Sequence, residues 1–261
     1  MSDRPSAIQA LAARPAESAL VLDFDGVLAP IIENAEASAM PDHVATALTR
    51  LAPVLGVLAV ISGRPAEFLA ERVRVAGVML LGSYGMERIE DGARRLDPAA
   101  QPWLDAVREA TSELDERLGH APGILVEHKS VSVAVHWRQA PDQDAAAERV
   151  HEITDELAGR TGLRSEPGKL VAELRPPVDI DKGSAVRALL AAARPAVAAY
   201  AGDDLGDIPA LRAVHEAGGY AIVVDHGQET DQRLLALADE TYAGTDAFAA
   251  WLTDLTDAIT A

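Results

Sequence analysis

The chain has 261 residues, enough for one large domain or two small ones with a substantial core. Apolar residues make up 49% and charged residues 25%, ordinary for a globular protein, while 41 acidic against 23 basic residues leave a net charge of −18. That sign disfavours nucleic acid and anionic membranes as partners, so any phosphate site must carry local Lys, Arg, backbone N–H groups or a metal. The absence of cysteine excludes disulfides, thiolate metal sites and a cysteine nucleophile. No apolar run approaches the ~18 residues of a membrane span. Met1–Arg14 lacks the basic start and apolar centre of a signal peptide, so a cytoplasmic protein is expected.

Short apolar runs at Ala19–Leu22, Val57–Ile61, Val78–Leu81, Val197–Ala201 and Tyr220–Val224 have the length and character of buried parallel strands. Between them lie Pro41–Ala52, Ala66–Val73, Lys182–Ala193 and Pro209–Ala217, all of helical composition. This βαβ alternation predicts an α/β fold with a doubly wound parallel sheet.

The middle of the chain follows a different pattern. Trp103, Val107, Ala110, Leu114 and Leu118 recur at helical spacing within Ala99–Leu118. Gly123–His128 and Val131–Trp137 read as two strands, Asp142–Gly159 as a second helix, and Leu163–Glu166 and Lys169–Arg175 as two further strands across a Pro167-Gly168 turn. The order αββαββ predicts a compact insert at residues 102–176, set into a core formed by residues 1–101 and 177–261. Alternation turns Val131, Val133, Val135, Leu170, Ala172 and Leu174 to one face. Glu127, Lys129, Arg138, Lys169 and Glu173 fall on the other. That face is either the wet side of an antiparallel sheet or a surface suited to a polyhydroxylated ligand.

Polar motifs follow the predicted core strands. Asp23-Phe24-Asp25-Gly26 comes after the first, where open α/β sheets place their sites. Ser62-Gly63-Arg64-Pro65 comes after the second, offering a small hydroxyl and free backbone N–H groups that can hold a phosphate oxygen. Gly82-Ser83-Tyr84-Gly85-Met86-Glu87 is a glycine-rich bend after the third. It lacks the spacing of a dinucleotide site. Lys182 opens a helix against the macrodipole, a placement better explained if it faces an anion. Asp203, Asp204 and Asp207 cluster after the fourth strand, as in sites that hold Mg²⁺. Each motif alone also reads as a solvated turn; the information is in their order.

In that order the motifs resemble the four-motif set of haloacid-dehalogenase-like phosphatases. The segments LDFDGVLAPI, ISGRP, GSYGMER, EHKSVSVAVHWR, GKLVAELRP and GDDLGD are similar to successive segments of the trehalose-6-phosphate phosphatase family, from about Leu20 onward and through the insert. The resemblance implies a haloacid-dehalogenase-like, Rossmann-like core with an α/β cap of type C2B. It implies a Mg²⁺-dependent phosphatase that releases trehalose through an aspartyl-phosphate intermediate. Asp23 would be the nucleophile and Asp25 the general acid and base. Ser62, Gly63, Arg64 and Lys182 would hold the phosphate. The metal site would draw on Asp23, Asp25 (through its backbone carbonyl), Asp203, Asp204 and Asp207, the last two orienting bound water and Lys182. Glu87, Glu127, Lys129, Arg138, Lys169 and Glu173 would meet the sugar hydroxyls.

Two departures stand out. The family usually has Thr and Glu where this chain has Gly206 and Ile208, and His where this chain has Tyr84. The alternatives are a related phosphatase acting on glucosyl- or mannosyl-phosphoglycerate, or a non-catalytic sugar-phosphate sensor. Retention of Asp23, Asp25 and Lys182 favours an enzyme. A small-molecule substrate and a monomeric state are expected.

Overall fold

A computed structural model of the chain describes residues 4–32, 37–168 and 170–260. The chain divides into two compact units, Met1–Arg95 with Ile180–Ala261, and Leu96–Asp179. The divisions do not fall at Gln101/Pro102 and Pro176/Pro177. The first falls where the chain leaves the last strand of the first sheet, at the end of a hairpin that the sequence reading missed.

The first unit is a three-layer sandwich around an eight-stranded sheet ordered β12-β11-β10-β1-β2-β3-β4-β5. Its parallel strands are β1 (Ser18–Asp23), β2 (Val57–Ile61), β3 (Met79–Gly82), β10 (Val197–Gly202), β11 (Tyr220–Asp225) and β12 (Glu240–Ala243). Their side chains alternate between two apolar layers, which is why the central strands read as unbroken apolar runs. Leu20, Leu22, Leu58, Val60 and Ile222 pack with helices α1 (Ala7–Ala13), α2 (Asp42–Leu51), α3 (Ala66–Arg72) and α9 (Gly244–Thr260). Val21, Ile61, Tyr200 and Val223 pack with α6 (Lys182–Ala193), α7 (Ile208–Glu216) and α8 (Gln232–Leu235) on the opposite face. Each fully buried Leu or Ile of these layers contributes roughly 1.5–3 kcal/mol.

At one edge of the sheet, β4 (Glu87–Glu90) pairs antiparallel with β3 and continues into β5 (Ala93–Leu96). The link is Asp91-Gly92, both at positive φ (50° and 75°), the backbone of a tight hairpin turn. β12 forms the other edge. Both edges are built from charged or short polar sequences (Glu-Arg-Ile-Glu, Ala-Arg-Arg-Leu, Glu-Thr-Tyr-Ala), which blunt an edge against further pairing and carry no apolar run to read.

In the second unit the order is α4 (Leu104–Leu118), β6 (Leu125–His128), β7 (Val133–His136), α5 (Gln143–Thr161), β8 (Arg164–Gly168) and β9 (Val171–Arg175). The strands form an antiparallel sheet ordered β6-β7-β9-β8. Val133, Val135, Ala172 and Leu174 pack on Val107, Leu114, Val150, Ile153 and Leu157 of the two helices. Pro167-Gly168 is not the turn of the second hairpin. Both residues belong to β8, facing Ala172 and Val171, and Leu170 beyond them takes positive φ (61°). Lys169 lies outside the described residues. No helix among the described residues is long and apolar enough to cross a membrane.

Candidate active site

The parallel strands all end on one edge, and strand register decides what meets there. Leu22 of β1 lies beside Ala201 of β10, so Asp23-Phe24-Asp25 runs out next to Gly202-Asp203. Asp23 pairs with Ile61 of β2 on the other side, which puts Ser62 at the same level. Gly202 lies beside Val223, carrying the end of β11 to this edge as well.

Lys182 is the charge at the centre. Asp181 caps α6 through a reciprocal bond pair with Ser184, placing Lys182 as the first helical residue. Its Nζ is buried, 2.9 Å from Asp23 Oδ1 and 2.7 Å from Asp207 Oδ1. The anion that the sequence argument wanted opposite this lysine is therefore a pair of carboxylates within the chain. Burial opposes its charge, but Asp207 and Asp23 outweigh it and hold the ammonium well above the usual lysine range.

Asp207 is saturated with donors. Besides Lys182, its Oδ1 accepts from Tyr200 Oη at 2.5 Å, and its Oδ2 accepts from the backbone N–H groups of Asp203 (2.9 Å) and Asp204 (3.1 Å). Desolvation works against its charge, yet Lys182 and these bonds hold the carboxyl below the ordinary value. Its carboxylate organises the loop and the lysine. Asp204 is exposed and bonds Gly206 N at 2.9 Å, capping the same turn.

Asp23 and Asp203 differ from this. Burial, with Asp207 and Asp203 beside it, pushes the Asp23 carboxyl well up against the pull of Lys182. Burial likewise raises Asp203, with Asp207 and Asp204 adding to it, from the ordinary 3.8 to about 8. Asp203 Oδ1 is buried and has no hydrogen-bond partner among the described residues. Oxygens of Asp23, Asp203 and Asp207 lie within 4.8 Å of one another. Three carboxylates around one ammonium leave excess buried negative charge and an orphaned oxygen, a donor set that fits a hard cation with oxygen ligands. Gly26 makes the cluster possible: a Cβ there would sit 2.1 Å from Asp203 Oδ2, and its φ of +79° suits glycine.

The second motif is less open than expected. Ser62 N–H donates to Leu81 O (2.9 Å) and Arg64 N–H to Ser62 Oγ (3.1 Å), so these two amides are not free for a phosphate. Arg64 turns to Asp25, with Nε 3.0 Å from Oδ2. Tyr84, at φ 61°, donates its N–H to Ser62 O, and its ring covers Gly63, where a Cβ would lie 2.8 Å from the ring.

Glu87, expected among the sugar-facing residues, has its carboxylate engaged within the first unit. It is fully buried in the first unit, accepting from Ala66 N (3.2 Å), Ser83 Oγ (2.7 Å) and Arg94 (2.6 Å). It ties the glycine-rich bend to the start of α3.

Within the second unit, the open sheet face brings three of the named residues together. Lys129 Nζ lies 3.2 Å from Glu173 Oε1 and 4.0 Å from Glu127 Oε2. Ser132 Oγ donates to Glu173 at 2.6 Å, and His136 Nε2 meets Glu127 at 2.7 Å. Arg138 lies exposed beyond the end of β7.

Sequence reasoning missed Tyr200, which it counted only as an apolar strand residue, and it missed His226. Alternation puts His136 on the polar face with Arg138, but it was left out of the ligand group. His226 follows β11 and bonds the Gly26 carbonyl at 2.9 Å, an adjacency that only strand order creates.

The family model described as trehalose-phosphatase matches residues 21–240. A trehalose-phosphate phosphatase of Mycobacterium marinum is 38% identical over 251 residues, covering 91% of this chain and 62% of that relative, so the chain spans less than two thirds of its length. Among solved structures, a trehalose-6-phosphate phosphatase related protein superposes with a TM-score of 0.77 at 22% identity, covering 92% of this chain and 97% of the other. A haloacid dehalogenase-like hydrolase from Bacteroides thetaiotaomicron reaches 0.63 at 16% identity, covering 90% and 98%. The two structures share the fold, and the family model, matched across the strand-end motifs, identifies the chain as a member of the trehalose-phosphatase family.

Proposed function

We propose that the chain hydrolyses trehalose 6-phosphate to trehalose and phosphate. The observation that carries the reading is the buried Asp23 carboxylate, held 2.9 Å from Lys182 beside the orphaned Asp203 oxygen. The printed name of the mycobacterial relative supports the substrate. The net charge of −18 supports a diffusible small molecule over nucleic acid or an anionic membrane.

Asp23 attacks phosphorus, the bond to the sugar oxygen breaks, and an aspartyl phosphate forms. Water then attacks that phosphorus and releases phosphate. Asp25 gives the leaving sugar oxygen its proton in the first step and takes one from water in the second. Its carboxylate is paired with Arg64 in the structure, so this role requires the pair to open when substrate arrives. Lys182 and the Ser62 hydroxyl hold the transferring oxygens. The Asp23 and Asp203 carboxylates and the Asp25 carbonyl would hold Mg²⁺, which screens the repulsion between a carboxylate and a phosphate dianion. Asp204 and Asp207 hold the loop and Lys182 in place. The open sheet face of the second unit, acting as a cap, recognises the sugar through Glu127, Lys129 and Glu173, with Arg138 beyond β7.

Phosphate release from a panel of sugar phosphates tests the reading. Trehalose 6-phosphate should be the fastest substrate, Asp23→Asn should retain the fold and lose turnover, and EDTA should silence the enzyme until Mg²⁺ is restored. Faster release from a glycosyl-phosphoglycerate would refute the substrate. Turnover by Asp23→Asn would refute the mechanism.

A further inference from the structure

The backbone of Gly26 is fixed on both sides, through two successive peptides. Its N–H donates to Ala29 O at 2.8 Å, and its carbonyl accepts from His226 Nε2 at 2.9 Å. A carbonyl only accepts, so Nε2 carries the proton and has no lone pair to offer a metal. The loop that carries the ring is held in turn: the His226 backbone N–H donates to Thr230 Oγ1 (2.7 Å), Thr230 N–H to Gly227 O (3.2 Å), and Gly227 N–H to Asp225 Oδ1 (2.9 Å). The same ring nitrogen lies 3.5 Å from Asp203 Oδ2, the carboxylate against which Gly26 is pressed.

We propose that His226 is a positioning residue for the metal, acting through the Gly26 carbonyl; the inference rests on the metal-dependent reading above. Glycine is the residue with most conformational freedom to lose, and Gly26 joins the peptide that bears the Asp25 carbonyl to the following peptide, whose carbonyl His226 holds. With the imidazole in place, the Gly26 backbone is fixed, and with it the Asp25 carbonyl one peptide back and the adjoining Asp203 carboxylate are arranged before a cation arrives. Without the donor, the incoming ion must order them itself, and its affinity falls. Outer partners of metal ligands characteristically act in this way.

The test is Mg²⁺ binding by isothermal titration calorimetry to the wild type, His226→Ala and His226→Gln, with thermal denaturation in EDTA to establish that each is folded. His226→Ala should bind Mg²⁺ about tenfold more weakly. Gln keeps a neutral N–H donor of similar reach and should return the dissociation constant to within about threefold of wild type. Should alanine prevent folding, His226→Met, which fills the space without a donor, takes its place. Binding by the donor-less variant within about twofold of wild type would overturn the proposal, as would a glutamine variant no better than alanine. A wild-type chain that takes up no Mg²⁺ would bring down the metal reading and this inference with it, whereas a failure confined to the variants leaves that reading standing.

Discussion

The raised Asp203 carboxyl makes the metal-free protein's stability fall as pH rises. Its value goes from the ordinary 3.8, which the unfolded chain shows, to about 8 in the folded one. Between those values the folded state binds one proton more than the unfolded state, so stability is lost with increasing pH. For a single such group the loss is about 1.4 kcal/mol per pH unit, or about 3 kcal/mol between pH 5 and 7. Asp23, raised chiefly by burial, contributes in the same direction. The carboxylates with the opposite sign, Glu113, Asp207, Glu216 and Asp231 (the last down to about 2), have lost most of their protons in both states by pH 5 and add little above it. For a chain of this size about 3 kcal/mol corresponds to a fall in Tm of about 5–11 °C. The assay is thermal denaturation in EDTA across pH 5–8, repeated with saturating Mg²⁺. The chelated protein should melt lower at each step up in pH, and Mg²⁺ should restore most at the alkaline end, where its ligands are ionised. A chelated Tm that is flat or rises from pH 5 to 7 would refute the assignment of Asp203 as an uncompensated buried carboxylate.

Three further outcomes follow from named contacts. Tyr200→Phe removes the hydroxyl bonded at 2.5 Å to the buried Asp207 carboxylate and should cost about 1.5–3 kcal/mol in urea denaturation; unchanged stability would mean that Lys182 and the two amides satisfy Asp207 unaided. Glu87→Gln disturbs the buried bonds to Ala66, Ser83 and Arg94 and should cost a similar about 1.5–3 kcal/mol without moving KM for trehalose 6-phosphate; a raised KM would return Glu87 to the sugar site. Glu127→Ala removes an acceptor that Lys129 and His136 surround, and should lower the preference for trehalose 6-phosphate over p-nitrophenyl phosphate about tenfold in kcat/KM; equal losses on both substrates would place Glu127 outside sugar recognition.

The amino-acid sequence by itself determined the parallel core and where its motifs would stand. Strands buried on both faces must be apolar throughout, so β1, β2, β3, β10 and β11 announced themselves, and polar residues directly after such strands lie at their carboxyl ends. Alternation likewise separated the two faces of the inserted sheet before its pairing was known. The tertiary structure alone decided the rest. Edge strands β5 and β12 are polar because an edge must resist further pairing, and β4, which joins β5 to the parallel strands, is equally charged, so the three leave no periodic signal. The division of labour among the aspartates depended on donors from distant positions. Asp207 is satisfied by Tyr200, Lys182 and two amides, while Asp203 keeps an oxygen without a partner. Glu87 and Arg64 look like ligand-facing charges in their motifs, yet one is buried among core donors and the other is paired with Asp25. His226 stands 200 residues from Gly26 in the chain and meets it because β10 lies between β11 and β1. Composition and spacing report the chemistry a residue can perform; which partner has already taken its hydrogen bonds is a fact of packing.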